Sequence, residues 1–144
     1  IVFFGFPNIL WDDTEILLDI FRTLSHSEVY EPALLSPRLD LGSDTLFMGE
    51  EGYDGKGRAH LMVKWHESSR TAYVIGANPG ARETAVEVPF PWSLNKAELL
   101  DWNGAGFAVS DRLTINDKSL VFTFNKDEGV IIRITPLFED GARR

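Results

Sequence analysis

Carboxylates are the side chains in this chain with the most obvious capacity for chemistry: Asp and Glu number 22, against 14 Lys and Arg. Glycoside hydrolysis needs two of them facing each other across a cleft, about 5–5.5 Å apart for retention and 6.5–9.5 Å for inversion. The acidic clusters Asp12/Asp13, Glu50/Glu51 and Glu139/Asp140 are sequence neighbours in loops or at a terminus. Adjacency does not supply that opposed placement, so they read as solvated charge. A small hydrolase would have to draw its pair from Glu50, Glu51 and Asp54. These residues sit beside glycines and offer oxygen ligands of the kind Ca²⁺ takes, but without the regular spacing of an EF-hand loop. His60 and His66 lie on one extended segment, about 20 Å apart at about 3.3 Å per residue, too far to share a metal. His26 falls at a helix end, where a cation suits the dipole. There is no cysteine, which removes disulfides, thiolate metal sites and cysteine nucleophiles together. No serine stands in a G-x-S-x-G elbow, and GYDGKGR lacks the G-K-[ST] of a phosphate-binding loop. No catalytic residue, metal ligand or cofactor is therefore assigned.

The aromatic side chains remain. Trp65, Trp92 and Trp102, with Tyr53 and Tyr73, combine large apolar faces with polar handles, which suits a stacking surface for sugar rings. Trp65 is in phase with Leu61 and Val63 and belongs to a core. Trp92 lies between prolines and a loop and is expected to be exposed. Trp92, Trp102 and Tyr53 are thus the candidate carbohydrate-binding residues.

The elements that would position these residues are mostly strands. HLMVKW, TAYVIGAN, TAVEVPF, AELLDW, FAVS, RLTI, SLVFTF and VIIRI are eight strand-like pieces broken by Gly, Pro, Asn and Asp, at the spacing of an antiparallel sandwich. Alternation fixes their faces. Leu61, Val63 and Trp65 oppose Met62, Lys64 and His66; Leu120, Phe122 and Phe124 oppose Val121 and Thr123; Val130, Ile132 and Ile134 oppose Ile131 and Arg133. Upstream, Ile1 to Phe6 form an apolar strand-like run. After possible caps at Asp12, Asp13 and Thr14, the residues Ile16, Leu17, Ile20, Phe21 and Leu24 repeat at helical spacing. That amphipathic helix is expected to end between Ser25 and Glu28. The prolines at 32 and 37 then mark a surface connector. The expected organisation is an N-terminal strand, helix and connector over 1–45, a β-sandwich over 46–138 and a flexible tail over 139–144.

At 144 residues and 16.2 kDa the chain suits one domain with an appended segment. A net charge of −8 and a pI near 4.8 argue against nucleic acid, whose phosphates require a basic partner, and against anionic membranes. No apolar run approaches the roughly 20 residues of a membrane-spanning helix. The lack of cysteine fits a reducing cytosol without fixing the compartment.

A buried strand, a Trp-containing loop, an amphipathic helix, EPALLSP and an all-β tail together resemble the C-terminal end of a TIM-barrel glycoside hydrolase of the α-amylase-like kind. YVIGANPGARETAVEVPFP and ELLDWNGAGFAVSDRLTINDKSLVFTFNKDEGVIIRI carry most of this resemblance. It implies a non-catalytic C-terminal β-sandwich accessory domain that stabilises a catalytic barrel, the barrel being its partner, with a parent that hydrolyses glycosides. No position here matches the catalytic residues of such a barrel. The alternative is a free-standing carbohydrate-binding module that takes a polysaccharide or oligosaccharide.

A run that starts with Ile1, Val2, Phe3 and Phe4, without a polar leader, is expected to continue from a larger protein. Exposed on its own, such a run is prone to edge pairing. The chain should therefore self-associate through Ile1 to Phe6, and deleting those residues should shift it toward monomer. Sedimentation at several concentrations measures this; a clean monomer for the intact chain would overturn it.

Overall fold

The computed structural model describes residues 27–41, 47–49, 58–78, 82–101 and 106–138. The expected N-terminal strand, the helix through Ile16, Ile20 and Leu24, and the tail lie outside them. Helix α1 spans Ser27–Leu35. Among the described residues nine strands follow: β1 (Phe47–Gly49), β2 (Arg58–His66), β3 (Thr71–Asn78), β4 (Thr84–Pro89), β5 (Leu94–Asp101), β6 (Gly106–Ala108), β7 (Leu113–Asn116), β8 (Ser119–Phe124) and β9 (Glu128–Pro136). They form a six-stranded sheet, β1-β2-β3-β9-β5-β6, and a three-stranded sheet, β4-β8-β7. Every pairing is antiparallel. This is the mainly β sandwich that the alternation predicts. All eight sequence segments become strands, and β1, too short to show a period, joins them.

The core lies between the sheets. Leu120, Phe122 and Phe124 of β8 face Leu61 and Val63 of β2, Ala72 and Val74 of β3, and Val130, Ile132 and Ile134 of β9. Each large aliphatic or aromatic side chain so buried stabilises the fold by roughly 1.5–3 kcal/mol. Phe122 and Phe124 meet edge to face with centroids 4.8 Å apart, the arrangement their ring quadrupoles favour. Asn78 reaches from the end of β3 to donate to the carbonyls of Arg82 (2.7 Å) and Asn125 (2.8 Å). Those two bonds tie the β3–β4 connection to the turn between β8 and β9.

Among the described residues three hairpin turns hold a non-glycine residue in the left-handed region: Arg70 (φ 52°), Asp117 (φ 48°) and Asp127 (φ 50°). Aspartate tolerates this better than most residues. Arg70 is the unexpected one, and its guanidinium lies 3.6 Å from the ring centroid of Phe138. This cation–π contact offsets some of the backbone cost.

Residues 30–35 correct the sequence reading, which assigned them to a connector because of Pro32. The helix instead runs through Pro32 to Leu35. A proline there removes one i→i−4 bond, and tertiary contacts compensate. Ala33 is fully buried. Ser36 donates both its N–H and its hydroxyl to the Pro32 carbonyl, and Lys64 Nζ donates to the Leu34 carbonyl. Pro37 then turns the chain into an extended stretch beside β2, with Leu39 N–H bonded to Val63 O (2.8 Å) and Trp65 N–H to Pro37 O (3.0 Å). Together with β1, this stretch covers a β2 edge that would otherwise invite foreign strands.

Gly76 tests the density of the core. A Cβ there would stand 2.6 Å from both Leu61 Cδ2 and Phe124 Cζ, and the Phe124 ring is fully buried. Gly76→Ala should therefore destabilise by about 1–3 kcal/mol through overpacking, despite the usual gain from replacing a strand glycine. Urea denaturation measures it; a variant as stable as the parent would mean the two sheets can part at this point.

Candidate functional site

Of the sequence-derived sugar-binding residues, Trp92 falls among the described residues, while Tyr53 and Trp102 lie outside them, as do Glu50, Glu51 and Asp54. Trp92 is half-buried and packs on the core. Its ring centroid is 5.1 Å from Trp65 at an interplanar angle of 50°, and 5.9 Å from Phe90 at 42°. Tilted rings of this kind close one end of the sandwich and do not present a coplanar row. The Trp92 indole N–H is buried with no hydrogen-bond partner among the described residues. Trp65 turns its own N–H to Glu67 Oε2. His66 is held by the hydroxyls of Ser69 (2.6 Å, at Nδ1) and Ser68 (3.2 Å, at Nε2). Among the described residues no three metal-ligating side chains converge.

The more organised surface is the outer face of the six-stranded sheet, which carries Met62, Lys64, Ile131 and Arg133. Strand register lays two rows across it. Met62 stands opposite Ile75, and Ile75 opposite Ile131; Leu100 stands opposite Phe107. Ile131, Leu100, Tyr73 and Ala33 of α1 form a second apolar cluster with Ile75 and Phe107 on its margin. The neighbouring row is polar: Lys64 opposite Tyr73, Tyr73 opposite Arg133, and Arg133 opposite Glu98. Glu98 is 6% exposed. It accepts from Arg133 Nε (3.0 Å) and Nη2 (2.7 Å) at Oε2 and from Lys96 Nζ (2.7 Å) at Oε1. Arg133 also lies 4.7 Å from the Phe107 ring centroid.

Burial alone would push the Glu98 carboxyl up. The hydrogen bonds and charges of Lys96 and Arg133 outweigh it and hold the group below the ordinary carboxylate value. Burial raises the Tyr73 phenol, with Arg133 opposing. Chemically, this pair is a fastener. A carboxylate kept ionised by two cations has no proton to donate at neutral pH, and both of its oxygens are occupied.

A second such pair closes the edge of the sandwich. Arg112 grips Glu128 through Nη1 (2.8 Å) and Nη2 (2.6 Å) and also donates to the Thr123 carbonyl (2.8 Å). The Asn125 N–H donates to Glu128 at 2.7 Å. Burial pushes the Glu128 carboxyl up, and the bonds from Arg112 and Asn125 bring it below its ordinary value. The pair lines a cleft of about 350 Å³ together with Asp101, Ser110 and exposed Val109.

Glu98 gives a prediction of definite sign. Its folded value is below its unfolded one, so its contribution to stability is present above about pH 4.3 and is lost as pH falls through the lower folded value. Thermal melts at pH 7, 5, 4 and 3 should show the parent losing more between pH 5 and 3 than Glu98→Gln does. Equal acid slopes would remove Glu98 from the acid limb. Arg133→Ala, which strips a near-buried carboxylate of its bidentate partner, should cost about 3 kcal/mol at neutral pH.

No protein-family model matches the chain, and no curated protein matches it. Among solved structures, it is similar to a family 51 α-L-arabinofuranosidase from Bifidobacterium longum, with a TM-score of 0.41, 17% identity, and coverage of 62% of this chain and 21% of that one. The matched part thus spans about a fifth of that enzyme's length. At this score the likeness carries no argument about the site.

Proposed function

We propose that this chain carries a non-catalytic β-sandwich accessory domain of a glycoside hydrolase, C-terminal to a catalytic barrel that it covers and stabilises. The observation that carries the reading is the use made of buried Glu98 and half-buried Glu128. Glu98 and Glu128 are each held by two N–H donors of one arginine, Arg133 on the neighbouring strand and Arg112 just before β7. That is structural use of a residue type which a glycosidase active site would leave free to transfer protons. The α-amylase-like order of elements in the sequence supports the parent class. A domain of this kind contributes by burying sheet faces and fixing a neighbour's orientation, both of which suit a rigid two-sheet body with a partly apolar outer face.

The complete reading frame tests this directly: several hundred residues of alternating strands and helices should precede Ile1. Deleting residues 46–138 from that protein should lower its melting temperature, while the fraction that stays folded keeps its KM. A frame without a barrel, or a truncated enzyme that melts like the parent, would sink the proposal.

The alternative, a free-standing carbohydrate-binding module, rests on half-exposed Trp92. Titrating glucans, xylans and galactans while following tryptophan fluorescence separates the two readings. The accessory role predicts no saturable change; a change abolished by Trp92→Ala would favour the module.

A further inference from the structure

Helix α1 and the β2–β3 hairpin enclose an open groove of about 690 Å³, within the roughly 300–1,000 Å³ range of ligand sites. Its walls carry Glu31, Pro32 and Leu35 on one side and His66, Glu67 and Ser68 on the other. Glu31 and Glu67 are 36 positions apart in sequence, so their presence on one groove is a product of the fold. No Lys or Arg is among its described lining residues. Two cations of the flanking β2–β3 hairpin have partners of their own: Lys64 the Leu34 carbonyl and Arg70 the Phe138 ring.

We propose that this groove receives an arginine side chain from a partner protein segment. Three properties of the groove specify that occupant. Charge is the first: two exposed carboxylates with no salt-bridge partner among the described residues, on a chain of net charge −8, attract a cation both locally and at long range. The second is shape and surface. Leu35 is 74% exposed, and with Pro32 it offers an aliphatic wall for the stem of a long basic side chain. Guanidinium suits this mixed surface better than ammonium, because it is planar and weakly hydrated. Preorganisation is the third. Glu67 Oε2 is already fixed by the Trp65 indole N–H, which leaves Oε1 for an incoming donor. The walls are pinned by the Trp65–Pro37 and Leu39–Val63 backbone bonds, so little ordering cost falls on binding.

The proposal rests on the accessory-domain reading only for where the arginine comes from, which is the neighbouring domain. The test uses the chain by itself, so it can fail while the reading frame still reveals a barrel, and the converse also holds. The probe is Nα-acetylargininamide, titrated into isotopically labelled protein with amide shifts followed by NMR; its neutral isostere Nα-acetylcitrullinamide is the control. Saturable shifts should map to Leu35, Ser36 and 66–69. They should weaken about fivefold in the Glu31→Gln/Glu67→Gln variant, in keeping with the modest strength of exposed ion pairs, and should fade in high salt. Gln at 67 can still accept from Trp65, and an unchanged melting temperature confirms the fold. Glu83→Gln, on an exposed site away from the groove, should bind like the parent. Shifts spread over the whole acidic surface, equal shifts with the citrulline probe, or full binding by the double variant would each overturn the assignment.

Discussion

The burial of β9 on both faces is the constraint on which the rest of the structure depends. It occupies the interior of the six-stranded sheet between β3 and β5, and its residues divide by parity. Val130, Ile132 and Ile134 point into the sandwich against β8; Ile131 and Arg133 point outward, into the second apolar cluster and onto Glu98. A one-residue slip would put Arg133 into the core and lift the inner row out of it. Register here is therefore fixed by two independent penalties, one apolar and one ionic. That fixed register is what aligns the rows on the outer face and brings Glu98 to Arg133 from 35 positions away.

Much of this was legible because strands have a period of two. SLVFTF and VIIRI announce their inner faces without ambiguity, and every β segment read from alternation formed. Legibility stopped where the determining contact is non-local. Pro32 argued locally against a helix. What overrides it is the burial of Ala33 against the sheet and the capping of late carbonyls by Ser36 and by Lys64, 30 residues on from Leu34. β1 has three residues and no room for a pattern. Trp92 sits in a proline-rich loop, PFPWS, where alternation carries no information, and only the fold sets it against Trp65 and Phe90.

The outer-face ion pair is an intermediate case. A lone arginine in VIIRI, beside isoleucines, is a charge that a strand covered on both faces cannot leave unpaired. Its partner follows from topology alone: β5 and β9 must be neighbours before Glu98 can be chosen over the other acids in the chain. The same holds for Arg112 and Glu128, which the turn after β8 brings together.

These pairings also explain how so acidic a chain can hold a closed β core. Among the described residues most acids stand on exposed positions, where water screens them, while buried Glu98 and half-buried Glu128 each come with an arginine. Those two acids thereby join elements, Glu98 across β5 and β9 on the outer face of the six-stranded sheet and Glu128 to Arg112 just before β7. What remains available to other molecules is surface: exposed Met62 of β2, exposed Leu34 and Leu35 of α1, and the acidic groove where α1 meets the β2–β3 hairpin. A neighbouring protein seated there would meet exposed apolar side chains and the two groove carboxylates, Glu31 and Glu67, together. A contact of that composition favours a partner with matching basic residues over a neutral one, which is the electrostatic form that a durable interdomain contact would take on this fold.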